Sequence, residues 1–370
     1  MVDRRRIVRL WGTGGAQALV TLVHVEGSSY RRPGAHLLIG TAGECAGTIS
    51  GGCLEAEVVR RALWMVRTGA VVERYSTLFD DTAELPFGLG CGGVVDLLLE
   101  PADTAECHAL LAAMEASLGG VEMRVMTWLP AKERPLRRAV IATDGSVIFC
   151  SEGLDAGDLE AIAAQTSARV DSDSEVYVET LSAPQRLFVL GAGEDAKPLV
   201  TMASLLGWSV TVADGRVQLA RPERFVEAER VLAAASVEGL GIGAADAVVV
   251  MTHSYTQDRA FLVEALASDA GYIGLLGAAH RSSLLIGEAA TILRRNVAEC
   301  CQRVWAPVGM DLGGDGAEAI ALAVVAEVQA WRQGKLGASR RLTPEDVARQ
   351  IELGGASRYL QTQCAMSDMK

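Results

Sequence analysis

The stretch from Leu187 to Arg216 constrains the fold more than any other part of the chain. The apolar run Leu187–Leu190 is typical of a buried strand, and the turn Gly191–Ala196 follows it with the pattern G-x-G-x-x-A. A helical pattern comes next, and then a second apolar strand that ends at Asp214. A strand, glycine turn, helix and strand with an acid about 20 residues past the first glycine predict a dinucleotide-binding fold.

The stretch from Leu187 to Arg216 carries four candidate cofactor-binding residues. Gly191 and Gly193 would let backbone N–H groups approach a pyrophosphate at the N-terminus of the helix, where the helix dipole favours an anion. Asp214 would accept a hydrogen bond from a ribose hydroxyl, and Arg216 would favour a 2′-phosphate. The sequence therefore offers an NAD(P) site.

Two acids in the same turn count against a dinucleotide. Glu194 and Asp195 stand where the pyrophosphate would lie, and each repels a phosphate by about 1 kcal/mol in a partly desolvated site. Lys197 offsets only part of this repulsion. Two alternatives stay open: a Rossmann-like unit that binds another ligand at this turn, and one that binds none.

The alternation of strands and helices continues after Asp214, with further apolar strands at 245–251 and 272–276. This order predicts a doubly wound parallel sheet. We expect an α/β protein with an N-terminal mixed α/β domain at 1–183, a Rossmann-like domain at 184–334, and a polar C-terminal tail at 335–370. One short helix is expected in the tail from Thr343.

Composition excludes several classes of partner. The 370 residues carry a net charge of -12, which argues against nucleic acid and against an anionic membrane surface. No run approaches the ~18 apolar residues that span a bilayer. None of the eight cysteines forms a C-x-x-C pair. We expect a cytoplasmic protein with reduced thiols.

Two glycine-rich loops each carry a cysteine. Gly47–Glu55 leads into a predicted helix that starts beside Cys53, and Phe87–Gly93 contains Cys91 and leads into a strand. A thiol at a helix N-terminus has a lowered pKa, and thiolates suit a soft metal or a sulfur transfer. Cys53 and Cys91 are therefore candidate catalytic thiols and metal ligands in one shared pocket. The alternative is that both are small residues packed under tight turns.

The polar loop at 26–34, which precedes these motifs, offers hydrogen-bond donors to an anion. Arginine binds phosphate and carboxylate groups in a bidentate manner. The alternative is a solvated pair of surface arginines. With the neighbouring glycines, the candidate cofactor-binding residues here are Ser28, Ser29, Arg31, Arg32, Gly51, Gly52 and Gly92.

Three further candidates follow strands of the predicted sheet. His253 and Asp258 flank the end of a central strand, where His253 would serve as an acid or base and Asp258 would bind a ligand. A structural histidine is the alternative. Asp311 lies in the loop Pro307–Gly314, which we also expect to face the ligand crevice.

Taken together, these motifs resemble the xanthine dehydrogenase accessory factor family, XdhC/CoxI, over residues 15 to 332. The matching segments are Gly27–Gly34, Gly47–Glu55, Gly88–Gly93, Gly191–Gly193, Asp214–Arg216, Thr252–Ser254, Tyr272–Leu275 and Pro307–Gly313. The glycine turn departs from the family's frequent G-A-G-H-x-G, because Glu194–Ala196 stand there instead.

The resemblance implies a function. Members of this family are cytoplasmic chaperones that bind the molybdenum cofactor, a molybdopterin that carries the metal. They help a cysteine desulfurase to add the terminal sulfido ligand, and they deliver the cofactor to a xanthine dehydrogenase-type molybdenum hydroxylase. We therefore expect a non-catalytic maturation factor, as a homodimer. Two alternatives remain: an NAD(P)-dependent oxidoreductase that uses His253 as acid/base, and a sensor module with an empty Rossmann domain.

Overall fold

The computed structural model describes residues 1–52, 54–76, 93–131, 134–155 and 176–337. The chain divides into two compact units, one formed by Val2–Ala183 and a second that begins at Pro184. The short helix predicted from Thr343 and a helix predicted near 159–165 lie outside the described residues. Among the helices that are described, none is long and apolar enough to cross a membrane.

The first unit contains an antiparallel sheet of five strands. Its strands are β1 (Ala16–Gly27), β2 (His36–Gly40), β3 (Cys45–Gly47), β4 (Val71–Ser76) and β5 (Gly93–Pro101). They lie in the order β3-β2-β1-β5-β4. The long strand β1 pairs with β2 on one side and with β5 on the other, so it forms the centre of the sheet.

A second antiparallel sheet and three helices make up the rest of the described part of this unit. The strands are β6 (Met123–Trp128), β7 (Arg137–Ala142), β8 (Val147–Cys150) and β9 (Val176–Leu181), in the order β8-β7-β6-β9. The helices are α1 (Val2–Trp11), α2 (Glu55–Met65) and α3 (Ala105–Leu118). Successive residues of β1 point to opposite faces, as a strand requires. Val20 therefore packs with α2, whereas Leu19 packs with α1, α3 and the second sheet.

A buried ion pair joins the two sheets of the first unit. Arg138 on β7 donates two hydrogen bonds of 2.9 Å to the carboxylate of Glu100 on β5, and each residue is only 1% exposed. Its guanidinium also donates to Thr127 Oγ1 and to the carbonyl oxygen of Glu106. Breaking one partner of such a pair leaves an uncompensated buried charge, so this contact fixes how β5 and β7 meet.

The second unit is a six-stranded parallel sheet. Its strands are β10 (Arg186–Leu190), β11 (Ser209–Ala213), β12 (Arg230–Leu232), β13 (Ala247–Val250), β14 (Tyr272–Leu275) and β15 (Val304–Trp305). They lie in the order β12-β11-β10-β13-β14-β15, and every neighbouring pair is parallel. The predicted α/β class with a Rossmann-like sheet is confirmed.

Helices cover both faces of this sheet. They are α4 (Ala196–Leu205), α5 (Tyr255–Ala267), α6 (Ala279–Leu293), α7 (Val297–Arg303) and α8 (Ala317–Arg332). Helices α4 and α8 pack on one face, and α5, α6 and α7 pack on the other. Sequence reasoning missed α6 and α7. Residue Ala278 caps α6 without a side-chain hydrogen bond, so the usual start signal is absent there.

Candidate functional site

The end of the five-stranded sheet brings two parts of the predicted site together. Strand β1 ends at Gly27, which pairs with Gly93 at the start of β5. A Cβ placed on Gly93 would lie 2.2 Å from the carbonyl oxygen of Ser28, so only glycine fits there. The last residue of the second glycine-rich loop is therefore held against Ser28.

The first glycine-rich loop reaches the same place through a tyrosine. The ring of Tyr30 lies on Gly51, and a Cβ on that glycine would be 3.5 Å from the ring. Tyr30 is nevertheless 74% exposed. The segment from Ser28 to Tyr30 thus contacts residues of both glycine-rich motifs. Together, Gly27–Arg32, Gly51–Gly52 and Gly93 form what is here called the glycine rim.

The polar residues of the glycine rim differ in their availability. Arg31 donates a hydrogen bond to the carboxylate of Asp3 on α1, so part of its charge is already balanced. Arg32 and Ser28 are exposed, and Ser29 is half-buried. Arg32 and Ser28 are therefore the donors that this rim presents most openly to an anion.

Three of the predicted site residues lie outside the described residues: Cys53, Cys91 and Gly92. Their proposed roles as thiols, metal ligands and phosphate-binding backbone, and the pocket expected to hold both cysteines, stay predictions. Within the described parts of the chain, no group of three or more His, Cys, Asp or Glu side chains is placed to hold a metal ion.

Sequence reasoning missed the carboxylate that organises the first glycine-rich loop. Glu55, in the first turn of α2, accepts hydrogen bonds at Oε1 from Thr48 Oγ1 (2.9 Å), Ile49 N (3.2 Å) and Ser50 N (2.8 Å). Its Oε2 accepts from Ser50 Oγ. Burial raises the pKa of Glu55, but the hydrogen bonds from Ser50 and Thr48 outweigh it and hold the pKa below its ordinary value.

The hydroxyl of Ser50 extends this network along the loop. Its Oγ accepts hydrogen bonds from the backbone N–H groups of Gly52 and Leu54, each at 3.2 Å. A chain of contacts therefore runs from Glu55 through Ser50 to the glycines. The spacing S-x-x-x-x-E is the only trace of this network in the sequence.

The Rossmann glycine turn is also held by a carboxylate, that of Asp214. Gly191 has a φ of 136°, and a Cβ there would lie 2.4 Å from the carbonyl oxygen of Met251 on the neighbouring loop. Its N–H donates to Ala213 O, and the next N–H, of Ala192, donates to Asp214 Oδ2 at 2.8 Å. Both amides are thus used inside the protein.

Asp214 is fully buried and does not offer itself to a ribose, in contrast to the expectation from the motif. Its two oxygens accept from Arg216 through N, Nε and Nη2 at 2.7–2.9 Å. Burial raises the pKa of Asp214, but the Arg216 guanidinium and the Ala192 amide together hold that pKa below its ordinary value. Arg216 also donates to Thr252 O, so it is not directed at a 2′-phosphate.

The acids of the turn are paired as well. Glu194 forms ion pairs with Lys197 and Arg224, each at 2.6 Å. Asp195 accepts a hydrogen bond of 2.6 Å from His253 Nε2, and the His253 side chain is 63% exposed. His253 has the left-handed φ of 62°, which is uncommon for a residue other than glycine. Both acids that were expected to repel a phosphate therefore have partners within the protein, two cations for Glu194 and a histidine hydrogen bond for Asp195.

Asp258 is the second buried acid at this edge of the sheet, after Asp214. It accepts from Thr252 N (2.9 Å), from Thr252 Oγ1 (2.6 Å) and from Arg281 (2.6 Å), and it is fully buried. Asp258 therefore fixes the loop after β13 and does not face a ligand, in contrast to the expectation. Arg281 was not singled out from the sequence, because nothing in its spacing indicates this partner.

Asp311 lies in the loop after β15 and is exposed. Because β10 and β15 belong to one parallel sheet, this loop and the glycine turn lie at the same edge. Helix α8 anchors the loop, because Glu327 accepts a hydrogen bond from Gly309 N at 3.0 Å and another from the hydroxyl of Tyr272. The crevice prediction for Asp311 is compatible with this placement.

The edge of the parallel sheet that carries the glycine turn Gly191–Ala196 together with Asp214, Arg216, His253 and Asp258 is here called the Rossmann edge. Its residues do not fit a dinucleotide bound in the usual way. The turn amides of Gly191 and Ala192 already donate to protein acceptors, and the acid that should hold the ribose is taken by Arg216. The glycine rim is different, because an exposed guanidinium, a hydroxyl and an open tyrosine ring stand together there. That donor set fits an anionic, planar cofactor.

Residues 187–328 match the family of XdhC Rossmann domains, and residues 10–76 match the XdhC and CoxI family. The chain belongs to the XdhC and CoxI family. The first two segments of the glycine rim and the Rossmann edge all lie within the matched residues of this XdhC-family protein. The family resemblance noted in the sequence is confirmed.

Relatives and a solved structure extend the match over most of the chain. A protein of Bacillus subtilis (strain 168), named as a probable xanthine dehydrogenase subunit, is 28% identical over 326 residues, which cover 84% of this chain and 91% of the relative. The molybdenum cofactor insertion chaperone PaoD of Escherichia coli (strain K12) is 27% identical over 226 residues, or 53% of this chain and 70% of PaoD. A crystal structure of a xanthine dehydrogenase from Bacillus halodurans superposes with a TM-score of 0.76 at 25% identity, covering 94% of this chain and 99% of that one.

Proposed function

We propose that this XdhC-family protein is a maturation factor that binds the molybdenum cofactor and delivers it to a xanthine dehydrogenase-type molybdenum hydroxylase. The relatives named for cofactor insertion and for xanthine dehydrogenase support a role in molybdenum enzyme maturation. The single observation that carries the proposal is the glycine rim, where Tyr30, Arg32 and Ser28 are exposed beside Gly51. No turnover of a substrate is required of this rim.

Each exposed group of the rim has a distinct part in holding the cofactor. The guanidinium of Arg32 and the hydroxyl of Ser28 would donate to the phosphate, since charge-assisted bonds to phosphate are the stronger kind. One face of the Tyr30 ring rests on Gly51, so the other face is available to a flat pterin. When bound, the cofactor would supply the molybdenum and its exchangeable sulfur.

The finer steps belong to the same proposal. Cys53 and Cys91 adjoin the glycine rim in the chain, and we assign to them the approach to the molybdenum or its sulfur. Thiolate is the form that carries out both roles. A cysteine desulfurase would provide the sulfur, and a homodimer would be the working form. The absence of a usual dinucleotide site at the described Rossmann edge argues against the oxidoreductase alternative.

The test is the cofactor content of the full-length protein purified from cells that make the cofactor. We expect molybdenum by mass spectrometry and a pterin by fluorescence after oxidation. Replacing Arg32 by alanine should lower both, whereas replacing the exposed Arg221 of the second unit should lower neither. Wild-type protein without molybdenum or pterin, which also fails to raise the activity of a coexpressed hydroxylase, would overturn the proposal.

A further inference from the structure

The contacts of Glu55 exceed those of an ordinary helix cap. A glutamate of a capping box reaches back to one backbone N–H group. Glu55 accepts from two, those of Ile49 and Ser50, and also from the hydroxyls of Thr48 and Ser50. All four donors belong to the three residues that open the glycine-rich loop. The carboxylate is therefore an internal centre around which the loop is folded.

The network has two tiers of hydrogen bonds. The first tier is accepted by Glu55 and the second by the Ser50 hydroxyl, and the second depends on the first. The Ser50 hydroxyl donates its proton to Glu55, which leaves its lone pairs to accept from Gly52 N and Leu54 N. The hydrogen bond to the carboxylate orients this hydroxyl so that its lone pairs face the two amides. Glu55 thus controls the path of the chain on both sides of Gly51, the residue on which Tyr30 rests.

We propose that Glu55 is the positioning residue of the first glycine-rich loop. Its carboxylate fixes the loop in the shape that places Gly51 under Tyr30. Glu55 acts through Ser50 and the loop amides, and its oxygens are occupied by them. The consequence for the cofactor rests on the proposed function, whereas the role in shaping the loop does not.

The chemistry of the donors requires a carboxylate at this position. Every group that points at Glu55 is an N–H or an O–H, and glutamine would direct its own NH₂ group at one side of that cluster. Glutamine keeps the size of the side chain, so the substitution Glu55→Gln tests the acceptor alone. Glu57 offers a matched control, because it lies in the same first turn and faces Arg60 and Arg61 instead of the loop. Both substitutions remove one negative charge from the same helix end.

The experiment measures backbone hydrogen exchange in the full-length protein by nuclear magnetic resonance. In Glu55→Gln, exchange at Ile49, Ser50, Gly52 and Leu54 should rise by about tenfold or more, because both tiers are lost. In Ser50→Ala, the rise should be confined to Gly52 and Leu54. In Glu57→Gln, all four amides should exchange as in the wild type.

The outcomes separate this inference from the proposed function. Wild-type exchange at Ile49 and Ser50 in a folded Glu55→Gln protein would overturn the positioning role. If Glu55→Gln does not fold, Ser50→Ala carries the test, and unchanged exchange at Gly52 and Leu54 would overturn the second tier. Faster exchange combined with an undiminished molybdenum content would uphold the positioning role and would show that this loop does not hold the cofactor.

Discussion

The two glycine-rich turns of this chain are held by the same device and differ in what they leave exposed. In each, a carboxylate accepts backbone N–H groups of its own turn: Glu55 in the first unit and Asp214 in the second. Asp214 is fully buried and faces the guanidinium of Arg216. Glu55 has amide and hydroxyl donors, and no described cation forms an ion pair with it.

This difference teaches that a glycine-rich turn does not by itself identify a ligand site. At the Rossmann edge, the acids Glu194, Asp195, Asp214 and Asp258 each have a protein partner, and the amides of Gly191 and Ala192 donate to protein acceptors as well. These contacts therefore give the turn a structural role. At the glycine rim, the hydrogen bonds described for Glu55 all come from residues of the loop, and Arg32 and Tyr30 are exposed.

The largest expected effect lies in the first unit. Cys53→Ser should fold normally and should lose most of its ability to activate a coexpressed molybdenum hydroxylase, because serine retains the size but not the soft ligand. Partner activity is the measurement, with thermal stability as a check. Full activation by a stable Cys53→Ser protein would end the thiol mechanism.

The control for that variant should be an exposed cysteine. Cys45 is exposed on β3, so Cys45→Ser should change neither activity nor stability. Cys107 is a poorer control because it lies on α3 and is fully buried in the core. Its replacement by serine would bury a hydroxyl and would confuse a stability effect with a functional one.

The next-largest effect tests the contacts that Asp214 makes with Arg216 and with the Rossmann glycine turn. Asp214→Asn should lower the free energy of unfolding by about 2–3 kcal/mol, because Arg216 loses its counter-charge in a partly buried place. Urea unfolding measures this change. The same variant should keep the molybdenum content of the wild type. A loss below about 0.5 kcal/mol would show that Asp214 is free to serve a ligand.

A smaller effect concerns pH. Because the pKa of Glu55 is lowered in the folded protein, its contribution to stability is present above the unfolded pKa of about 4.3 and is lost as the pH falls through the folded value. The amide resonances of Ile49 and Ser50 should therefore titrate at a pH below about 4.3. In Glu55→Gln this titration should vanish. A midpoint above the ordinary glutamate value would contradict the network.

The smallest effect is expected from dinucleotides. NADH and NADPH at millimolar concentration should leave the melting temperature within about 1 °C of its value without ligand, because a ligand that does not bind the native state cannot stabilise it. Differential scanning calorimetry measures this. A rise of several degrees that Asp214→Asn removes would show that the turn opens to a dinucleotide after all.

The sequence was sufficient to predict the Rossmann sheet, because apolar strands such as Leu187–Leu190 alternate with helical patterns and parallel sheets follow from that order. It also placed Arg32 and Gly51 in two segments that resemble the N-terminal part of one family. Helix α6 was missed, since Ala278 gives no capping signal. Local sequence patterns therefore predict local structure well.

The sequence could not predict which partner each acid chooses. Asp214 stands where a ribose-binding acid is expected, and its pairing with both Arg216 and Ala192 depends on how two loops meet. In the sequence, Glu55 is an ordinary acid at the start of a helix, and its interaction with the helix dipole is enough to explain an acid at that position. Arg138 and Glu100 are 38 residues apart, and only the packing of two sheets joins them. Such long-range contacts have no periodic signature.

The most direct test of the central claim compares the molybdenum content of two variants purified from cells that make the cofactor. One carries Tyr30→Ala with Arg32→Ala in the glycine rim, and the other carries His253→Ala at the Rossmann edge. The rim variant should lose about tenfold or more of its molybdenum, since a charged donor and a stacking surface are both removed, while His253→Ala should retain it. Molybdenum that stays with the rim variant and leaves His253→Ala would contradict the assignment of the cofactor to the first unit.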